Sequence, residues 1–189
     1  KIVYTQNQHK NLVIASLAMD EENALFIVSD RKVIEKAYSS SCQGLIAHPK
    51  GEYIAILCDT KILKLYDSDG ELISEENFED KKCTTMTVDQ NYTRIFVAAG
   101  CSIVVYDWNA KNRKLTQKCV VETKISVLSM ALSPNTGELV AVTNDNVITL
   151  YNKRIEKAKV KDMWEVKGAR LVIASPTDPY IAVICGKAQ

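Results

Sequence analysis

The chain has 189 residues, 47% hydrophobic and 25% charged, an ordinary composition for a globular domain with its own core. Its 24 Lys and Arg stand against 23 Asp and Glu, a formal net charge of +1, which argues against a dedicated nucleic-acid module and leaves no DNA partner expected, because phosphate contacts need a clear basic excess. No apolar run approaches the roughly 20 residues of a transmembrane helix, so no membrane insertion is expected.

The opening KIVYTQNQHK has neither an initiator Met nor an apolar signal core and reads as a cut end. Residues 1–8 are expected to form an outer strand ahead of the first full unit. From Ile14 to Asp30 the chain reads IASLAMDEENALFIVSD, an apolar segment, a polar turn and a second apolar segment. With few identical residues the pattern returns as CQGLIAHPKGEYIAILCD from Cys42 and CTTMTVDQNYTRIFVAAG from Cys83. It returns again as VLSMALSPNTGELVAVTN from Val127 and RLVIASPTDPYIAVICG from Arg170. Anchoring the copies on Asp20, His48, Asp89, Ser133 and Ser175 gives spacings of 28, 41, 44 and 42. A period slightly above 40 belongs to a propeller blade or to a helical-pair repeat.

Composition decides between them. Glu52 to Leu57, Arg94 to Ala99 and Glu138 to Val142 are short, rich in Ile, Val, Leu and aromatic residues, and bounded by turn formers. That predicts strands and is too short for helices. In the clearest unit a first strand over Ser126 to Leu132 enters the turn Ser133-Pro134-Asn135-Thr136-Gly137, where Pro fixes φ and Gly permits the return. A second strand, Glu138 to Val142, leads through Asn144-Asp145-Asn146 to a third, Val147 to Tyr151. The lysine-rich run Arg154 to Lys161 is expected as the fourth, an outer edge that its charges keep from pairing with other chains. Second strands such as Tyr53 to Leu57 are almost continuously apolar, as when both faces are covered.

These features resemble a WD-repeat β-propeller over essentially the whole chain. Ser133 to Gly137 is similar to that family's Ser-Pro-Asp-Gly turn. Gln8-His9 falls where its Gly-His dipeptide would stand, and Tyr66-Asp67, Tyr106-Asp107 and Tyr151-Asn152 fall where its Trp-Asp dipeptide would end the third strand. No Trp-Asp dipeptide is present, so the likeness is to a divergent member. The resemblance implies an all-β fold, a β-propeller of four-stranded antiparallel blades. Residues 1–8 would be a leading outer strand, 9–40, 41–82, 83–124 and 125–167 four blades, and 168–189 half of a fifth, all within a seven-bladed ring. The first unit, with only 28 residues between Asp20 and His48, is expected to lack most of its fourth strand. The rest of the ring would come from the same or another chain.

Repeat position accounts for the cysteines. Cys42 and Cys83 open first apolar segments, and Cys58 and Cys185 close second ones, where Cys serves as a small buried hydrophobe. There is no C-x-x-C pair to suggest structural zinc. Free thiols point to a reducing compartment, the cytoplasm or the nucleus. There is also no Gly-rich phosphate loop, G-x-S-x-G elbow or H-E-x-x-H, and the two histidines have no partnered nucleophile in the sequence pattern. His9 reads as a turn residue and His48 as an exposed one. No catalytic residue, metal or cofactor is assigned.

Charge is uneven along the chain. From Asp67 to Asp80 there are seven acidic residues and no basic one. From Lys153 to Arg170 seven basic residues face three acidic ones. Either patch reads as solvated edge protection or as a rim offered to partners. The contact residues proposed on this ground are Lys153, Arg154, Lys157, Lys159 and Lys161 on the basic side and Glu75 and Glu76 on the acidic side. Trp108 and Trp164 join them, since both stand among polar residues where an aromatic side chain can anchor a partner. The leading functional expectation is a non-catalytic scaffold that binds other proteins. One alternative is the non-catalytic propeller subunit of an RNA-modifying or RNA-processing complex, and another is part of an enzyme whose catalytic residues lie outside this chain.

Overall fold

A computed structural model of the chain describes residues 2–6, 8–20, 25–145, 147–151, 157, 160–175 and 177–186, with the side chains at 16–20, 25–29 and 150 outside that description. Among the described residues the regular structure is β-strand without α-helix. The strands form five antiparallel sheets, each a meander in which neighbours in sequence are neighbours in hydrogen bonding. The first holds β1 (Ile2–Gln6), β2 (Asn11–Asp20) and β3 (Leu25–Ile34). The second holds β4 (Cys42–Ala47), β5 (Ile54–Cys58), β6 (Ile62–Tyr66) and β7 (Leu72–Asn77). The third holds β8 (Cys83–Val88), β9 (Arg94–Ala99), β10 (Ser102–Asn109) and β11 (Lys114–Glu122). The fourth holds β12 (Val127–Leu132), β13 (Leu139–Thr143), β14 (Val147–Tyr151) and β15 (Val160–Glu165), and the fifth holds β16 (Ala169–Ala174) and β17 (Ile181–Cys185). Four-stranded antiparallel meanders of this kind are the expected blades.

The chain divides into two compact units, Lys1–Asn77 and Phe78–Gln189. In the first unit, Leu12 and Ile14 of β2 pack with Ile54, Ile56 and Cys58 of β5, with Tyr38 and Tyr66 closing the cluster. The second unit stacks three sheets, and β13 lies between the other two. Its Leu139 and Ala141 pack with Phe96, Ala98, Ile103 and Val105 on one side. On the other side its Val140 and Val142 pack with Ala169 and Val172. All five residues of β13 are buried, as are those of β5, which is why these segments read as unbroken apolar runs.

Strand irregularities recur with the repeat. The first and second strands of a sheet slip register near the start of the first strand, at Cys42/Gly44, Cys83/Thr85, Val127/Ser129 and Ala169/Leu171. The third and fourth slip at Leu65/Tyr66, Val105/Tyr106 and Leu150/Tyr151, one residue before each Tyr of the dipeptides noted above. Those three tyrosines are buried. Such bulges sharpen local twist, so their repetition gives successive sheets the same shape.

Three expectations are corrected. The segment expected as a leading outer strand is β1, bonded to β2 from Ile2↔Ala15 to Gln6↔Asn11 and lying beside β4, the first strand of the next sheet. The reason is the short reversal through His9 and Lys10, where the His9 N–H bonds the Gln6 carbonyl at 3.2 Å and Lys10 takes φ 59°. A turn that tight returns the chain beside itself and leaves no length for a change of sheet. Ile14 to Met19 therefore belongs to the second strand and Leu25 to Ile34 to the third. Asp20 closes β2, a second strand, and so is not equivalent to His48 in the turn after a first strand, which explains the short spacing of 28. The turn at His9, 39 residues before His48, restores the period.

The second correction concerns the lysine-rich fourth strand. It is Val160–Glu165 that pairs with β14, so the expected strand is displaced toward the C-terminus. Lys153, Arg154 and Lys159 lie outside the described residues. The third concerns Trp108, expected as an anchor for a partner, which lies in β10 and is only 7% exposed.

Between the first two sheets the chain crosses at Ser39 to Ser41, and Asp59 holds it there. The Asp59 carboxylate accepts the backbone N–H groups of Ser39 at 2.9 Å and Ser40 at 2.5 Å, and the Ser40 hydroxyl at 3.1 Å. Burial alone would raise the Asp59 pKa, but these donors outweigh it and hold the group below the ordinary carboxylate value. Asp59 and Thr60 both have positive φ, the geometry of a type I′ turn, which aims the carboxylate at the crossing. The Lys10 ammonium secures the other side by donating to the Ser39 and Ser40 carbonyls.

Candidate functional site

Outer strands decide what a blade shows to solvent. β7 reads LISEEN and exposes Glu75, whose carboxylate lies 3.7 Å from the Lys64 ammonium, while Glu76 is half-buried. β11 reads KLTQKCVVE, with Lys114 and Lys118 set along it. β15 differs: every residue of VKDMWE is exposed, and Val160, Met163 and Trp164 are 42%, 59% and 43% accessible. β7 and β11 each expose one large apolar residue, Leu72 and Val120.

The register of the β14–β15 pair sorts these side chains. Val147 lies opposite Glu165, Thr149 opposite Met163 and Tyr151 opposite Val160, so these share one face. That face borders a groove of about 340 Å³ completed by Glu122, Thr123, Lys124 and Ile125 from the connection that follows β11. Its floor is apolar through Val160, Met163, Tyr151 and Ile125, and its rim carries Glu122, Lys124 and Asp145. Trp164 pairs with Ile148 on the opposite face. Lys161 is exposed and makes a 2.5 Å ion pair with Glu138, and Lys157 is also exposed. The structure thus brings Trp164 and Lys161 together on one strand, sets Glu75 and Glu76 on another, and removes Trp108 from the surface.

A second cleft, about 370 Å³, lies in the first unit among Val3, Ile14, Ala47, His48, Pro49, Lys50, Gly51, Ile54 and Ser68. His48, expected to be exposed, is buried. The turn folds its ring back so that Nδ1 accepts the Lys50 N–H at 3.2 Å, and the ring lies 5.1 Å from that of Tyr53. Burial lowers its pKa below the ordinary value; Glu52, 3.7 Å from Nε2, opposes this and Lys50 adds to it. All six cysteines are free thiols. Burial pushes Cys58 and Cys83 up to about 12, which keeps them protonated and unreactive at neutral pH. Among the described residues no three His, Cys, Asp or Glu side chains gather as a metal-binding group.

No family model matches the chain, and no curated protein matches it in sequence. Solved structures do. The β-propeller domain of Cps50 (Swd1) from Myceliophteria thermophila superposes with a TM-score of 0.69 at 12% identity, over 93% of this chain and 64% of that one. Sqt1 from Chaetomium thermophilum, solved bound to the N-terminus of the ribosomal protein L10, gives 0.63 at 14% identity, over 82% of this chain and 43% of that one. The chain spans less than two thirds of either. At these identities the likeness is one of fold, and the fold is that of a β-propeller built from four-stranded antiparallel sheets.

Proposed function

We propose that the chain is a non-catalytic scaffold that binds other proteins within a larger intracellular assembly. The observation that carries this reading is the outer strand β15, which exposes Val160 and Met163 beside an apolar groove and Trp164 on its other face. Contiguous exposed apolar side chains with a polar rim mark surfaces that partners cover. The fold agrees with it, since similar structures include Sqt1, solved with a segment of another protein bound. The β16–β17 pair supports a further partner. Leu171 and Ile173 of β16 are exposed there, whereas the corresponding first strands β4 and β12 are largely half-buried or buried; Ile181 and Ile184 of β17 are exposed, whereas the corresponding second strands β5 and β13 are wholly buried. More propeller sheet, from this or another chain, fits that edge. The RNA-linked alternative rested on the basic run 153–170. Of its described members Lys161 is already paired with Glu138, and no other feature favours it.

The test is affinity capture of the full-length protein from its native lysate at moderate and high salt, read by mass spectrometry and by nucleic-acid staining. A defined protein set in fixed stoichiometry is expected. Recovery of RNA alone, or of nothing beyond a mock bait, overturns the scaffold reading.

A further inference from the structure

We infer that Cys42 and Cys58 form a reversible disulfide, a modification site that latches the crossing between the first and second sheets and is independent of what the outer strands bind. The two cysteines stand opposite each other at the end of the β4–β5 pair. Directly opposed residues of an antiparallel pair have Cα atoms roughly 4.5–5.5 Å apart, inside the span of about 4.4–6.8 Å that a disulfide bridges. Opposed residues also send their side chains to one face, and Cys42 packs on the cluster that includes Cys58. Behind burial and the Asp59 charge, the Cys42 sulfur adds to the high pKa of Cys58, so the two lie within electrostatic reach. The equivalent pairs in the later sheets are Cys83↔Ala99, Val127↔Thr143 and Ala169↔Cys185, none of which holds two thiols.

Local structure permits the bond and keeps it reversible. Opposed Cβ atoms stand roughly 4.5–5.5 Å apart, whereas a relaxed disulfide wants about 3.8 Å. The register slip at Cys42/Gly44 frees the start of β4 from a regular ladder, so that end can close the difference. The strain that remains favours reduction, as in regulatory rather than structural disulfides. Cys58 is wholly buried and inert toward outside reagents, whereas Cys42 is half-buried and is the thiol that meets an oxidant. With hydrogen peroxide, the simplest hydroperoxide, the Cys42 thiolate attacks one oxygen, the O–O bond breaks, and Cys42 becomes a sulfenic acid as water leaves. Cys58 then attacks the Cys42 sulfur; its proton departs with the sulfenic hydroxyl as a second water, and the S–S bond forms. Two thiols lose two electrons and two protons, and the peroxide takes them up. The sheet holds the second sulfur in place, and such proximity offsets the low thiolate fraction of Cys58. Cys42 follows Ser41 and Cys58 precedes Asp59, whose N–H donates to the Ser41 carbonyl at 2.8 Å. The bond therefore fixes covalently the crossing that Asp59 holds by hydrogen bonds.

The experiment treats the full-length protein with a modest excess of hydrogen peroxide, blocks the remaining thiols, and reads cysteine linkage and amide exchange by mass spectrometry. A peptide bearing Cys42 joined to one bearing Cys58, separated again by dithiothreitol, is expected. Backbone amides at positions 40 and 59 should exchange roughly tenfold more slowly in the oxidised chain. In Asp59→Ala the same amides should exchange faster than in the parent while reduced, and oxidation should restore most of their protection. Cys42→Ser, at a half-buried site, should keep the parent circular dichroism, form no link to Cys58, and show exchange at both positions that peroxide leaves unchanged. Cys42 recovered as a sulfinic acid beside a free Cys58 thiol overturns the inference, as does Cys42 joined to any other cysteine. No bond at a dose that fully oxidises the exposed Cys101 overturns it too. So does a Cys42–Cys58 bond that leaves exchange at positions 40 and 59 as it was, since such a bond latches nothing.

Discussion

Asp59 shows how much of a connection between sheets one side chain can hold. Its carboxylate gathers the donors of Ser39 and Ser40 at the crossing between sheets, so Asp59→Ala should lower stability by about 1–2 kcal/mol. Because its folded pKa is depressed, its contribution is complete above the ordinary carboxylate range and is lost as pH falls through the folded value. The difference between parent and variant in urea midpoint should therefore shrink between about pH 5 and pH 3. His48 is also lowered, but as a base: folding favours its neutral form, so its contribution is full above the unfolded value near 6.5 and falls away below it. His48→Gln should flatten the pH dependence of the thermal midpoint between about pH 7 and pH 5. A polar residue beside a Pro reads as part of an exposed turn; the back-folding of the His48 ring onto its own turn and against Tyr53 depends on packing that the local sequence does not encode. Trp108 was legible by another route. Val104, Tyr106 and Trp108 alternate at the period of a strand, and that signal was masked by the polar Asp107 and Asn109 between them.

At the scale of the element, the repeat copied backbone irregularity more faithfully than side chains. Register slips fall at equivalent places in sheets whose strands share few residues. Gly168 sits at the entry to β16 with φ 77°, and a Cβ there would stand 2.6 Å from the Gly186 carbonyl oxygen. Unlike a flexible side chain, that backbone atom cannot swing aside. Gly168→Ala should therefore cost more than about 1 kcal/mol, seen as loss of hydrogen-exchange protection across β16 and β17 before the rest of the second unit responds. Strand composition and turn chemistry made the sheets readable, since β5, β9 and β13 are apolar runs closed by polar turns. The first sheet is the hardest to read because β2 and β3 are two long paired strands, and the polar run of sequence between Asp20 and Leu25 resembles the polar segments at His48 and Asp89 that separate first from second strands elsewhere. The slip to β15 has a similar cause: alternation of Lys with Ala and Val marks strand character across Lys157 to Lys161, and only pairing with β14 fixes where the strand begins.

At the scale of the whole molecule, the second, third and fourth sheets are buried most in their inner strands, above all the second, and least in the fourth, and that contrast should govern exchange with solvent. Amides of β9 and β13 are expected to exchange slowest in the second unit and those of β17 fastest, because a two-stranded sheet is marginal by itself and β17 has, among the described residues, one hydrogen-bonded neighbour. Uniform exchange across β13 and β17 would contradict this. The graded burial also bears on how such a chain can change over generations. A substitution at Ala141 or Val142 is felt at once by a neighbouring sheet on one side or the other, whereas one at the exposed Asp162 or Met163 leaves the interior of the sheets untouched. Inherited variation is thus purged from second strands and accumulates on fourth strands. New binding specificities can arise at the outer edge without passing through an unfolded ancestor, and descendants of one scaffold can diverge in their partners while keeping the same interior.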